Sequence, residues 1–163
     1  MTSKYNKIAV VGAGAWGTAL AQVAAKAGRE VTLWAREAEV VESVNGTHEN
    51  SLFLPGIPLD ESLRATGELK EIAQADAILM VTPAQHMRRV LEQLAPEIAE
   101  GTPVVLCAKG VEQSTNYLLT EVLAEAAPQA KPAVLSGPSF AAEVARGLPT
   151  AVTLACADED VAE

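Results

Sequence analysis

Cysteine, aromatic residues and long apolar runs are all scarce in this 163-residue sequence. The two cysteines, Cys107 and Cys156, both lie in apolar runs, so they are expected to be buried free thiols rather than a disulfide framework. Aromatic residues make up only 4%, which disfavours an aromatic-rich β-sandwich. No apolar run reaches the ~20 residues of a membrane span without a charge or a turn. A cytoplasmic protein is therefore expected.

Positive charge is also in short supply. Twelve Lys and Arg residues face 21 Asp and Glu residues, which gives a formal net charge of -9. Such a surface repels the phosphates of nucleic acids and of anionic lipids, so neither is an expected partner. A phosphorylated ligand would have to be bound locally, by backbone amides and one or two well-placed cations.

Short runs rich in branched residues alternate with longer segments of helical period, which predicts repeated βαβ units. The predicted strands are Ile8 to Val11, Val31 to Trp34, Ala77 to Val81, Val104 to Cys107, Ala133 to Leu135 and Ala151 to Leu154. The predicted helices are Ala15 to Ala27, Ala38 to Val44, Ala84 to Ile98, Thr115 to Ala126 and Phe140 to Arg146. A long ligand-side loop is expected from Gly46 to Thr66. One domain is expected, spanning residues 1–163.

Signals for helix ends accompany this pattern. Thr82 and Gln85 flank Pro83 in the arrangement of a capping box. Glycines are expected to stop three helices in the left-handed conformation; they are Gly28, Gly101 and Gly147. Acidic residues near the carboxyl end resemble the first turn of a helix, and the chain is therefore expected to be truncated.

A glycine-rich segment lies between the first strand and the first helix, with the spacing G-x-G-x-x-G. Gly12 would permit the tight turn, Gly14 would let the backbone approach a pyrophosphate, and Gly17 would let helix and strand pack closely. Free amides at the helix start would then face the phosphates. This context predicts an α/β fold of Rossmann type, a doubly wound and mostly parallel sheet with helices on both faces, that binds a dinucleotide.

Arg36 follows the second strand, where this fold places the residue that contacts the adenosine ribose. A guanidinium there offers forked donors to a 2'-phosphate, whereas a carboxylate would favour the ribose hydroxyls of NAD. NADPH is therefore the expected cofactor, and NADH remains possible. Glu37 weakens the inference, and a merely solvated arginine is the alternative.

Two later strand ends carry candidate substrate groups. Lys109 should emerge at the carboxyl edge of the sheet, where open α/β folds bind their ligands. Gly137 and Ser139 lie in a strand–turn–helix segment that could form a cradle for a polar substrate. A solvated turn lysine and a plain capped helix are equally good explanations of these residues considered alone.

Together the motifs resemble the bacterial NAD(P)-dependent glycerol-3-phosphate dehydrogenase family. The matching segments are 10–20, 53–56, 108–112, 136–141 and 147–150, in that order and spacing. The resemblance implies reversible reduction of dihydroxyacetone phosphate to sn-glycerol 3-phosphate for phospholipid synthesis. The cofactor contacts that it implies are Ala15, Trp16, Arg36, Lys109 and Ala141, beside the glycines of the loop. Lys109, Gly137 and Ser139 are implied to hold substrate.

In that family the principal proton-transferring lysine lies in a helical C-terminal domain, which this sequence lacks. Lys109 is thus expected to orient the substrate, and the isolated chain is expected to bind NADPH but to turn over little. No metal site is expected at His48 or His86. No sequence signal decides whether the full-length protein forms a homodimer. The alternatives are another two-domain NADP-dependent dehydrogenase and a non-enzymatic nucleotide-sensing module.

Overall fold

The branched and apolar runs form the strands of a single sheet in the computed structural model, which describes residues 4–162. The strands, β1 to β7, are Lys7–Val11, Glu30–Trp34, Arg64–Thr66, Ala77–Met80, Pro103–Leu106, Lys131–Ser136 and Thr153–Cys156. The helices, α1 to α7, are Ala15–Lys26, Ala38–Thr47, Leu69–Ile72, Ala84–Leu94, Leu119–Ala126, Ala141–Ala145 and Glu159–Ala162. A 3-10 turn, Ala95–Glu97, continues α4.

The strand order is β3-β2-β1-β4-β5-β6-β7. Strands β1 to β6 run parallel, and β7 pairs with β6 in the antiparallel direction. The predicted doubly wound and mostly parallel sheet is confirmed. The chain leaves β3 at one edge and returns to the middle of the sheet as β4, beside β1. This reversal between β1 and β4 is where a sheet of this kind opens a ligand crevice.

Side-chain alternation along β1 divides the core between the two faces of the sheet. Ala9 and Val11 pack in a cluster with residues of α4 and α5, including Met87 and Leu123. Val10 points to the other face and packs in a cluster with residues of α1 and α2. Burial on both faces explains why the strands are apolar throughout rather than alternating with polar residues.

The predicted boundaries need several corrections. Helix α2 continues to Thr47 instead of ending at Val44. A third strand and a short helix, β3 and α3, were not predicted; β3 is the end of the predicted loop. Helix α5 begins at Leu119 instead of Thr115, because the Thr115 hydroxyl bonds the Glu112 carboxylate and accepts from the Tyr117 amide. Helix α4 ends at Leu94, before the 3-10 turn that contains Pro96. Strand β7 lies two residues later than predicted.

The predicted capping box at the start of α4 is wrong. Pro83 is the N-cap residue, and the Thr82 hydroxyl donates instead to the Val11 carbonyl at 3.3 Å. The Gln85 side chain bonds a neighbouring loop. The glycine helix ends are confirmed at Gly28 and Gly147, with φ angles of 78° and 82°. Gly101 is also left-handed, with a φ of 78°, but it ends no helix, because the 3-10 turn has already stopped at Ile98. The predicted acidic helix start is confirmed as α7, whereas Glu163 lies outside the described residues. Within residues 4–162, no helix combines the length and apolar character needed to cross a bilayer.

Candidate functional site

Steric contacts determine the shape of the glycine loop that joins β1 to α1. Gly12 has a φ of 114°, and its amide donates to the Trp34 carbonyl at 3.1 Å. A Cβ built on Gly17 would lie 1.8 Å from the Gly12 carbonyl oxygen, far inside any real contact. Any larger residue at position 17 would therefore separate the loop from the helix. The loop is fixed by the protein itself, before any ligand binds.

Gly14 differs from these two glycines. It has an ordinary φ of -65°, and a Cβ on it would meet no described atom within 4 Å. Gly14 also begins α1, where it cannot supply a capping side chain, and the first helical bond runs from the Thr18 amide to its carbonyl at 3.0 Å. The three amides in between, those of residues 15–17, have no partner inside the helix. Open space at Gly14 and the free amide donors of residues 15–17 therefore lie at the same place, an arrangement that suits a phosphate group.

A cleft of about 350 Å³ opens beside this loop, which we call the glycine cleft. Its walls come from the ends of β1, β2 and β4, the first turns of α4 and the loop after α2. The lining residues are Gly12, Ala13, Gly14, Trp34, Arg36, Glu37, Phe53, Val81, Thr82, Pro83, His86 and Val90. The cleft lies at the switch point between β1 and β4, as the fold predicts.

The Arg36 side chain lies on the wall of the glycine cleft with 78% of its area exposed. Its guanidinium donates twice to the Glu37 carboxylate, from Nε at 3.2 Å and from Nη2 at 3.0 Å. An exposed pair of this kind contributes little to stability. A 2'-phosphate could therefore replace Glu37 as the partner of Arg36, although the Glu37 carboxylate would remain nearby.

Asn50 is a buried polar residue that the sequence did not reveal as part of the site. Its amide nitrogen donates to the Ala13 carbonyl at 2.9 Å and to the Thr18 hydroxyl at 2.8 Å. Its side-chain oxygen accepts from the Phe53 amide at 3.0 Å. One side chain therefore fastens the glycine loop to the segment that brings Phe53 to the cleft. Asn50 follows Ala13 by 37 positions in the sequence, so no local pattern could have predicted this contact.

A second cleft, of about 270 Å³, opens at the carboxyl ends of β5 and β6, and we call it the lysine cleft. It is lined by Trp16, Val81, Cys107, Ala108, Lys109, Leu135, Ser136, Gly137 and Ser139. Three residues predicted to hold substrate, Lys109, Gly137 and Ser139, thus lie together beside Trp16 of the first helix. Val81 lines both clefts, so the two are adjacent.

The lysine cleft offers its polar groups openly. The Lys109 ammonium is exposed and has no hydrogen-bond or ion-pair partner within residues 4–162. Gly137 is held close to the segment that leads into β7, because a Cβ there would lie 2.8 Å from the Ala151 carbonyl oxygen. Burial raises the pKa of the Cys107 thiol to about 12, so this cysteine stays protonated and is not a nucleophile at neutral pH.

Ala15 and Ala141, which the resemblance implies contact the cofactor, line neither cleft in the described part of the chain. Both belong instead to a small apolar cluster that packs α6 against α1. Their predicted cofactor contacts stay predictions.

Helix α4 holds the loop that carries Lys109. The Gln85 side chain donates to the Val111 carbonyl at 2.8 Å and accepts from the Gln113 amide at 3.0 Å. Arg88 forms a two-point ion pair with Glu112, at 2.8 and 2.9 Å. The bonds from Arg88, and then that from the Thr115 hydroxyl, lower the pKa of Glu112 to about 2. The carboxylate is therefore charged at any physiological pH.

Several lining residues of the glycine cleft were not predicted as site residues; they are Ala13, Trp34, Glu37, Phe53, Val81, Thr82, Pro83, His86 and Val90. For the residues after β4 a usable signal existed, since they follow a predicted strand at the carboxyl edge. Phe53 belonged to a family-like segment but had no assigned role. Neither His48 nor His86 joins a group of three or more potential metal ligands among residues 4–162.

Comparison with known proteins gives a consistent result. Residues 7–162 match the family model described as NAD-dependent glycerol-3-phosphate dehydrogenase N-terminus. The glycerol-3-phosphate dehydrogenase [NAD(P)+] of Parvibaculum lavamentivorans is 82% identical over 163 residues, which cover 100% of this chain and 49% of that protein. The protein of the same name from Caulobacter vibrioides is 61% identical over 155 residues, covering 95% and 47%.

A solved structure gives the same picture. The crystal structure of glycerol-3-phosphate dehydrogenase from Coxiella burnetii superposes with a TM-score of 0.91 at 38% identity, covering 98% of this chain and 49% of that one. The chain thus spans about half the length of the relatives it matches.

Proposed function

Because this chain belongs to the NAD-dependent glycerol-3-phosphate dehydrogenase family, we propose that it is the cofactor-binding half of an enzyme that reduces dihydroxyacetone phosphate to sn-glycerol 3-phosphate. The single observation that carries the proposal is the adjacency of the two clefts. A nucleotide bound at the glycine loop would place its reactive end near Val81, next to Lys109. Residues 1–163 are accordingly the NAD(P)-binding domain of a longer protein.

The glycine cleft binds the cofactor in this proposal. The uncapped amides at the start of α1 donate to the pyrophosphate, and the open space at Gly14 admits it. Arg36 exchanges Glu37 for the 2'-phosphate of NADPH, whereas NADH offers only hydroxyls at that position. NADPH is therefore the preferred cofactor and NADH a weaker one.

The lysine cleft holds the substrate. A reduced nicotinamide held by the glycine cleft would be the source of the hydride that the ketone carbon needs. The Lys109 ammonium donates a hydrogen bond to the ketone oxygen, which lowers the cost of the negative charge that develops there. Gly137 and Ser139 supply a backbone amide and a hydroxyl that orient the substrate. The principal proton donor and the groups that grip the substrate phosphate lie in the remaining polypeptide, as a helical domain.

The chain alone binds NADPH in the glycine cleft. Its turnover is inefficient, because the lysine cleft stays open to water. We assign the whole enzyme to the cytoplasm, where sn-glycerol 3-phosphate feeds phospholipid synthesis. Neither a nucleic acid nor a membrane surface is a partner, given the net charge of -9. A non-enzymatic sensing module would use the glycine cleft but would have no use for a lysine, a glycine turn and a serine gathered beside it.

The test uses the full-length protein and follows NADPH absorbance with dihydroxyacetone phosphate as substrate. We expect rapid oxidation of NADPH, slower oxidation of NADH, and little reaction with dihydroxyacetone or with keto acids that lack a phosphate. Equal rates with keto acids would favour another two-domain dehydrogenase. No oxidation with any ketone would favour the sensing module and would overturn the proposal.

A further inference from the structure

The loop that carries Lys109 is not held by the sheet. Its last bond to a strand runs from the Cys107 amide to the Met80 carbonyl, at 2.9 Å. At Gly110 the backbone has a φ of 109°, and the chain turns away. The loop then closes on itself through a bridge between Val111 and Leu118. An exposed lysine two residues past the end of a ladder needs some other support to hold its ammonium in one place.

That support comes from one side of α4. Gln85 bonds the loop backbone twice, on both sides of Glu112. Arg88 bonds the Glu112 carboxylate through Nε and Nη2, and the Thr115 hydroxyl adds a third donor at 2.6 Å. Only 8% of the Glu112 side chain is exposed. A nearly buried carboxylate with three donors is a rigid anchor, because no other position satisfies the charge equally well.

The same helix contributes to the wall of the other cleft. His86 and Val90 of α4 line the glycine cleft, while Gln85 and Arg88 hold the Lys109 loop. The ties therefore hold residues 111–113, which follow the lysine closely in the loop, against the helix that forms this wall. Arg88 also bonds Glu125 of α5 at 2.9 Å, which anchors the guanidinium from its far side.

We propose that Gln85, Arg88 and Glu112 form a clamp that sets the position of the Lys109 ammonium in the lysine cleft, which makes all three positioning residues for the reaction. This inference rests on the proposed function, because Lys109 must act on the substrate for its position to matter. A misplacement of about 1 Å can cost about 100-fold in rate even when the displaced contact is remote from the chemistry.

The experiment is a double-mutant cycle in the full-length protein between Arg88→Gln and Lys109→Ala. Arg89→Gln is the matched control, since Arg89 is the next residue of α4, is exposed and loses the same charge. Each variant is measured for thermal midpoint, for kcat/KM with dihydroxyacetone phosphate and for NADPH affinity. Gln85→Ala repeats the cycle with an exposed residue, so that poor folding of Arg88→Gln leaves the clamp testable.

We expect Arg88→Gln to lower kcat/KM for dihydroxyacetone phosphate by about 30- to 100-fold, with NADPH affinity within about twofold of wild type. In the Lys109→Ala background the same change should cost less than about twofold, because the clamp acts through the lysine. An equal loss in both backgrounds, or the same loss from Arg89→Gln, overturns the clamp. If wild type itself does not reduce dihydroxyacetone phosphate, the proposed function fails and the clamp fails with it. If the wild-type protein is active but the effects of Arg88→Gln and Lys109→Ala on kcat/KM are additive, the clamp is wrong and the proposed function stands.

Discussion

The glycine cleft and the lysine cleft open at the same edge of the sheet and share Val81, but they are built differently. In the glycine cleft the phosphate-facing loop is backbone, fixed by close approach at Gly17 and by the buried Asn50 amide. The lysine cleft depends on exposed side chains, and an ion pair on α4 holds its lysine loop. A site made of fixed backbone can bind a ligand without further parts, whereas exposed side chains need a second wall to exclude water.

The largest expected effect separates two glycines of the same loop. Gly17→Ala should lower the free energy of unfolding by about 3 kcal/mol, the upper end of the usual range for overpacking, because the new Cβ would overlap the Gly12 carbonyl oxygen 1.8 Å away. Gly14→Ala should change it by less than about 1 kcal/mol but should weaken NADPH strongly, since its Cβ enters the cleft. Urea denaturation and fluorescence titration measure the two quantities. If Gly14→Ala binds NADPH normally, the pyrophosphate does not lie where we place it.

The next effect concerns the exposed cation of the glycine cleft. Arg36→Ala should weaken NADPH by about 1.5 to 3 kcal/mol, the range for hydrogen bonds to a charged group, and should affect NADH much less. Glu37→Gln should act in the opposite direction and tighten NADPH by about 0.5 kcal/mol, because it removes the competing carboxylate. Fluorescence titration with both cofactors gives the comparison. Equal losses of the two cofactors in Arg36→Ala would remove the case for a 2'-phosphate contact.

A third prediction tests whether buried hydrogen bonds prepare the glycine loop. Asn50→Ala leaves the Phe53 amide without its partner and should cost about 2 kcal/mol of stability. It should also weaken NADPH by about 1 kcal/mol, roughly fivefold. Asn45→Ala is the control, since Asn45 bonds the Ala65 amide and carbonyl at 2.9 Å, outside both clefts. Its loss should lower stability by about 1 kcal/mol and leave NADPH binding unchanged. Equal weakening in both variants would argue against a specific role for Asn50.

The smallest expected effect is a difference between the two clefts in how amide exchange responds to low pH. The pKa of Glu112 is lowered from 4.5 to about 2 in the folded chain, so its stabilising contribution is complete above 4.5 and is lost as the pH falls towards 2. Amide exchange in residues 110–118 should therefore approach that of Glu112→Gln as the pH falls from about 4.5 to about 2. Amides around the glycine loop, held by neutral groups, should not differ between the two proteins. A constant difference across this range would contradict the role of the ion pair.

The sequence was a good guide wherever local pattern and sheet geometry suffice. The glycine spacing between a strand and a helix predicted the loop, and Lys109, Gly137 and Ser139 came together because their segments follow adjacent strands at the carboxyl edge. The roles of these residues were implied by family resemblance, and they stay predictions.

The remaining features depend on contacts that no short window contains. Strand β3 has only three residues, so its own sequence carries almost no strand signal. The remote Asn45 side chain helps to hold it by a hydrogen bond to the Ala65 carbonyl. The capping box at Thr82 and Gln85 failed because a loop 26 residues away offered Gln85 better partners. Asn50 was not predicted as a site residue because its partner Ala13 is likewise remote in the sequence. When a side chain can form hydrogen bonds either with sequence neighbours or with remote groups, the fold determines which partner it takes.

The fixed backbone at the start of α1, together with Arg36, should bind a reduced nicotinamide dinucleotide with no polypeptide beyond these 163 residues. Calorimetric titration of the 163-residue chain measures this most directly, after circular dichroism has verified that it is folded. We expect one saturable site that binds NADPH tightly and NADH more weakly, and we expect Gly14→Ala to abolish the binding. Absence of heat from the folded chain with either cofactor at millimolar concentration would contradict this expectation.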